Sequence, residues 1–166
     1  MSKNLNCIFT IMLLLASTGS LISATKFEEP TVEDIAKCIR SEIHSDEKRI
    51  HIIKWMLEHP DETLPIAFSI KEDVRKDPFT VSAKYGTIEA CTTSENAQSV
   101  IDRLLKPDTS DASKTTALEI AEKYGFKGER YRSVLLEVLS TTEYGGLQKT
   151  LLELLRSYGH EEDAWI

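Results

Sequence analysis

Five residues in one stretch of the sequence are of the types that hold metal ions. They are His44, His51, His59, Asp61 and Glu62. Imidazole and carboxylate groups are common ligands of Zn²⁺. The histidines are seven and eight residues apart, and they share one face only if a single helix carries all three; Ser45 and Asp46, which favour a helix start, interrupt it. The pattern therefore favours surface histidines, and we predict neither a metal site nor a cofactor.

The sequence also lacks the local motifs of common enzyme classes. No G-x-S-x-G nucleophile elbow occurs, and Gly145-Gly146 is not followed by the Lys-Ser/Thr of a phosphate loop. The 27 acidic residues could contain a pair of catalytic carboxylates, but no spacing selects two of them. We therefore predict a protein without enzymatic activity, with a small hydrolase assembled from distant residues as the alternative.

The first 24 residues have the three parts of a secretory signal peptide. Lys3 supplies the positive n-region, residues 7–16 form the apolar h-region, and residues 17–20 are small and polar. The apolar run is about half of the ~20 residues that a membrane-spanning helix needs, which makes an uncleaved anchor the less favoured alternative. We predict cleavage after Ala24 and a single mature domain, residues 25–166, that is secreted or periplasmic and not held in a membrane.

Cleavage changes both the charge and the cysteine content. The full chain has 27 acidic and 20 basic residues, a net charge of −7, and loss of Lys3 with the leader makes it −8. Such a charge disfavours nucleic acid and favours a basic partner protein. The leader also contains Cys7, so the mature chain keeps Cys38 and Cys91, which we predict to form one disulfide in an oxidising compartment. Two buried free thiols are the alternative.

Capping residues and apolar spacing predict an all-α domain, a compact bundle of about seven to eight short helices. Thr31, with Asp34 three residues later, has the pattern of a capping box. Ser45 before Asp46 and Glu47, and Asp77 before Pro78, are further helix starts. These local signals place the helices that begin at residues 32, 46 and 78.

Two segments are harder to interpret. Residues 79–92 combine helical spacing with strand-like alternation, so a helix is favoured and a small hairpin turning at Tyr85-Gly86 is the alternative. Residues 108–114 are polar and are predicted to form a loop before a helix that starts at Thr115 or Thr116.

Three predicted helix ends have similar sequences. They are Lys84-Tyr85-Gly86, Lys123-Tyr124-Gly125 and Arg156-Ser157-Tyr158-Gly159. Glycine accepts the left-handed conformation that ends many helices. The three glycines are 39 and 34 residues apart, and each interval holds one helix pair, the unit of helical-hairpin arrays. An irregular array of helical-hairpin repeats is therefore the alternative to a compact bundle.

One of these stretches resembles a known repeat. Residues 116–125, Thr-Ala-Leu-Glu-Ile-Ala-Glu-Lys-Tyr-Gly, resemble the first helix of an ankyrin repeat. The resemblance covers ten residues, lacks the family's usual histidine and is followed about two residues late by the second helix, at 134–136. We do not assign the chain to the family. The resemblance itself implies a protein-binding groove and no catalysis.

Together these features favour an exported, non-catalytic module that binds another protein. A periplasmic inhibitor or immunity-type protein and a secreted effector both fit this description. Trp165, which follows an acidic run, is the candidate partner-binding residue because tryptophan is enriched at binding hot spots. The alternatives are a carrier of an apolar small molecule in a cavity between helices and an ankyrin-like or other helical-repeat scaffold.

Overall fold

The computed structural model of the protein describes residues 27–71, 77–106 and 109–162, with side chains as far as Arg156. Within these ranges the chain forms eight α-helices and no strand, which confirms the predicted all-α bundle and its number of helices. The helices are α1 (Val32–Ile39), α2 (Asp46–Glu58), α3 (Pro60–Ser69), α4 (Pro78–Cys91), α5 (Ala97–Leu104), α6 (Asp111–Lys123), α7 (Gly128–Thr141) and α8 (Gly145–Glu162).

The predicted helix starts depend on local side-chain caps, and the structure confirms three of them. At α1 the Thr31 hydroxyl accepts the Asp34 N–H, and the Asp34 carboxylate accepts the Thr31 N–H, both at 3.2 Å. Ser45 accepts the N–H three residues later at the start of α2, and Asp77 does the same at α4. Each cap satisfies a backbone donor that has no partner inside its own helix.

The segment 79–92 is helical, so the hairpin alternative is wrong. It forms α4, and Gly86 lies inside that helix rather than at a turn. The buried residues Val81, Tyr85 and Ile88 recur at helical spacing and supply the face that α4 packs inward. Because that face is apolar at every turn, its packing on the core keeps the chain helical on both sides of Gly86.

The helix α6 begins earlier than predicted, at Asp111 rather than at Thr115 or Thr116. Ser110 acts as the cap, since its hydroxyl accepts the Ser113 N–H at 3.3 Å. Residues 111–114, which we predicted as loop, are therefore the first turn of the helix.

The three similar stretches do not all end helices. Only Gly125 ends a helix, with a φ of +68° that favours glycine. Gly86 lies inside α4 and Gly159 inside α8. The prediction of three matching helix ends is thus wrong for two of them: α4 continues through its glycine because its inward face stays apolar at Ile88 and Cys91, and α8 continues to Glu162.

Helices that follow one another in the chain pack in pairs. The most extensive contacts join α3 to α4, α5 to α6 and α7 to α8, and further contacts join α4 to α6 and α6 to α7. The helices α1 and α2 pack on each other and on the first pair. One hydrophobic core runs through this arrangement, and its fully buried members include Ile35, Ile52, Ile88, Ile120, Leu135 and Leu151.

At the C-terminal ends of five helices, a side chain from elsewhere in the bundle donates a hydrogen bond to one of the last carbonyl groups or to that of the residue just after the helix. Four of the donors lie on another helix, and the fifth, Tyr124, is the residue just after α6. Without such donors these carbonyls would be unsatisfied inside the bundle. The pairs are Thr63 to Met56, Lys84 to Ile70, Tyr124 to Thr92, Ser113 to Leu104 and Lys114 to Thr141. These hydrogen bonds explain why Lys84 and Lys114 are only 5% and 6% exposed.

Candidate functional site

An open groove of about 510 Å³ lies between the first turns of α6 and α8. The α6 side contributes Asp111, Ala112 and Thr115, and the α8 side contributes Gly146, Leu147 and Thr150. Tyr144, the residue immediately before α8, stands at this groove and is 64% exposed. We call this surface the Tyr144 groove.

The position of the Tyr144 ring depends on the glycine two residues later. A Cβ atom added to Gly146 would lie 2.9 Å from Cε1 of Tyr144, which is closer than carbon atoms pack. The Tyr144 backbone is fixed on both sides, because its N–H donates to the Thr142 hydroxyl and its carbonyl accepts the Gln148 N–H. Glycine at this position therefore lets the ring lie across the start of α8.

Asp111 links the start of α6 to the residue that follows α7. Its Oδ1 atom accepts the Thr142 hydroxyl at 2.7 Å and lies 3.6 Å from the Lys114 ammonium. Its second carboxylate oxygen has no partner in the part of the chain that the structure describes, and the side chain is 41% exposed. The groove thus places an exposed aromatic ring and an available carboxylate oxygen on one surface.

This combination suits the recognition of a cation by stacking and pairing. An arginine or lysine can lie over a tyrosine ring while its charged end bonds a carboxylate. Tyrosine is also enriched among the residues that dominate the free energy of protein association. The groove is therefore chemically suited to a basic side chain of a partner protein.

A second open groove, of about 590 Å³, lies between α3 and α5. Its α3 side includes Pro65 and Phe68, and its α5 side includes Val100 and Arg103. The Arg103 guanidinium lies over the Phe68 ring, 4.1 Å from its centroid. We call this surface the Arg103 groove.

The cysteines of the predicted disulfide lie on helices that pack together. Cys38 is on α1 and Cys91 is the last residue of α4, and both are buried in the common core. The structure holds both as free thiols, and burial raises the pKa of each to about 11. The Cys91 thiol donates to the Met56 carbonyl at 3.5 Å. The disulfide stays a prediction.

Two of the three histidines at positions 44, 51 and 59 stack on separate aromatic rings. His51 stacks on Phe27 at a centroid distance of 4.9 Å, and His59 stacks on Trp55 at 4.2 Å, whereas His44 is exposed. Among the residues described, no three side chains of the metal-binding types come together.

Trp165, the predicted partner-binding residue, lies beyond the last described residue, and the leader with its cleavage point lies before the first. Sequence reasoning missed Tyr144, Asp111 and Arg103. The available signal for Tyr144 was its place directly before Gly145-Gly146, away from any apolar stripe.

Comparisons with known proteins identify no relative: no family model, no curated protein and no solved structure gives a significant match to the chain. Over the described ranges, none of the helices has both the length and the apolar character needed to cross a bilayer.

Proposed function

We propose that the protein is an exported, non-catalytic module that binds a basic partner protein through the Tyr144 groove. The observation that carries the proposal is the 64% exposed Tyr144 ring beside a carboxylate oxygen of Asp111 that has no partner in the described chain. The net charge of −8 without the leader adds long-range attraction for a basic partner and raises the rate of encounter. A periplasmic inhibitor or immunity-type protein and a secreted effector both suit this role.

The helix pair α7 and α8, whose connection carries Tyr144, exposes further apolar side chains. Leu136 on α7 and Leu152 on α8 are 48% and 56% exposed. With Tyr144 they place three large, exposed apolar side chains on one helix pair and its connection. Burial of such side chains in an interface is favourable, whereas their exposure to water is not.

The two alternative functions, a carrier of an apolar small molecule and a helical-repeat scaffold, agree unequally with the open grooves. A carrier of an apolar small molecule needs an enclosed, mostly apolar cavity. Both grooves are open and are lined partly by charged side chains, which suits a carrier less well than a protein partner. A helical-repeat scaffold agrees with the three successive helix pairs, and it would also act by binding proteins along its grooves.

A capture experiment tests the proposal. Residues 25–166 are immobilised as wild type, Tyr144→Ala and Phe79→Ala and are exposed to an extract of the native compartment. Phe79 is the matched control because it is an aromatic residue that is 80% exposed on a different helix. We expect a protein that the wild type and Phe79→Ala retain and that Tyr144→Ala loses. A Trp165→Ala variant tests the second predicted contact residue.

A further inference from the structure

The Arg103 groove carries two cations that form no ion pair with an acid of the described chain. Arg103 in the last turn of α5 and Lys106, two residues after that helix ends, are both exposed. The contact with Phe68 holds the guanidinium over the ring, and its N–H groups form no ion pair among the described residues. The N–H edge of a guanidinium binds a carboxylate through two parallel hydrogen bonds.

Next to these cations the groove offers an apolar surface. Pro65 is exposed and Phe68 is partly buried, and beneath them lie the buried side chains of Leu64 and Val100. An aromatic or aliphatic side chain that covers Pro65 and Phe68 would remove both from water. The cations and the apolar surface are adjacent because the Phe68 ring contacts Arg103.

The opposite end of the groove is acidic. Asp61 precedes Phe68 by seven residues of α3, two helical turns or about 10 Å. Its carboxylate has no partner within the described ranges, whereas the carboxylate of Asp102 accepts the Gln98 amide at 2.7 Å. The groove therefore changes from cationic to acidic over the length of about three extended residues.

We infer that the Arg103 groove is a second docking site, which takes a peptide segment of a partner protein. The segment carries an aspartate or glutamate on Arg103 and Lys106 and an aromatic or large aliphatic side chain on Phe68. Its backbone N–H groups or a basic side chain meet Asp61. A fatty carboxylate matches the cations and Phe68, but its alkyl chain would desolvate Asp61 with no donor in return. A peptide supplies that donor.

Selection from a displayed library of random seven-residue peptides tests the inference. The baits are the wild-type protein, Arg103→Gln and the control Lys149→Gln, which changes an 80% exposed cation on α8. Since Arg103 is exposed on α5, its substitution leaves the core untouched, and thermal unfolding of each bait verifies the fold. A Tyr144→Ala bait separates this site from the one proposed above.

We expect the enriched peptides to share an acidic residue followed within three positions by an aromatic or large aliphatic residue. Their affinity should fall about tenfold or more for Arg103→Gln, the loss expected for a hydrogen-bonded charge, and should be unchanged for Lys149→Gln and Tyr144→Ala. The inference is overturned if none of the enriched peptides contains an acid, if the acidic peptides bind Arg103→Gln as tightly as the wild type, or if no peptide is enriched. Dodecanoate serves as the fatty carboxylate. The inference is also overturned if Arg103→Gln weakens the binding of dodecanoate but not that of the selected peptides.

Discussion

The ammonium group of Lys114 on α6 donates to the carbonyl oxygen of Thr141, the last residue of α7, at a distance of 2.5 Å. The lysine is 6% exposed, and its other charged neighbour is Asp111, at 3.6 Å. Asp111 in turn accepts the hydroxyl of Thr142. One buried cation therefore joins the start of α6 to the end of α7, directly beneath the connection that carries Tyr144.

Loss of this cation should destabilise the bundle. In Lys114→Met the side chain keeps its length, but the Thr141 carbonyl loses its donor and Asp111 loses its counter-charge. We expect the free energy of unfolding to fall by about 1–3 kcal/mol, measured by urea denaturation. Lys149→Met, which alters an 80% exposed lysine, should change it little. Equal stability of Lys114→Met and wild type would show that the contact contributes nothing.

Gly146→Ala should weaken partner binding without lowering the thermal stability of the protein. Alanine favours a helix over glycine, and the ring that its Cβ would meet is 64% exposed and can turn aside, so the variant should be about as stable as the wild type in thermal unfolding. Its Cβ would displace the Tyr144 ring, which lies 2.9 Å away, and partner binding should weaken. Gly145→Ala is the matched control, since a Cβ there meets no atom within 4 Å. If both variants bind alike, the position of the ring has no influence on recognition.

The stability of the protein should depend on Asp34 in acid. Hydrogen bonds from Lys48 and from Thr31 lower the pKa of Asp34 from 3.8 to about 2. A carboxyl group with a lowered pKa in the folded state adds stability above its unfolded pKa and loses it as the pH falls toward the folded value. We therefore expect the Tm of Asp34→Asn to lie below that of the wild type near neutral pH, and the difference to shrink between about pH 4 and pH 2. A difference that stays constant over this interval would contradict the assignment.

The predicted disulfide has a direct test. The protein isolated from an oxidising compartment, without reducing agent, should have a mass lower by two hydrogen atoms than the same protein after reduction, owing to a bond between Cys38 and Cys91. A Cys38→Ser variant should abolish the difference. If the untreated mass equals that of the reduced chain, both cysteines are the buried free thiols that the structure holds.

Helix starts could be predicted from the sequence where the hydrogen bond that fixes them is local. Thr31, Ser45 and Asp77 act on backbone groups three residues away, so their helix starts could be predicted. Ser110 acts equally locally, but Thr115 and Thr116 compete with it in the same polar stretch. Choosing between such starts requires knowing that the first turn packs inward, with Ser113 and Lys114 buried.

The two grooves and the buried lysines could not be predicted because their partners are distant in sequence. Lys114 bonds a residue 27 positions later, and Lys84 bonds one 14 positions earlier, on a different helix. Lysine usually remains in water, and its spacing on one helix gives no sign of a carbonyl on another. In the same way Phe68 on α3 and Arg103 on α5 become neighbours only in the folded chain.

A calorimetric titration of the captured partner with the wild type, Tyr144→Ala and Phe79→Ala measures what the Tyr144 groove contributes to binding. If the Tyr144 groove is the binding surface, Tyr144→Ala should raise the Kd about 30-fold, the loss of about 2 kcal/mol typical of a hot-spot tyrosine. Phe79→Ala should leave the Kd unchanged. A Tyr144→Ala variant that binds as tightly as the wild type, with its fold verified by thermal unfolding, would contradict the account.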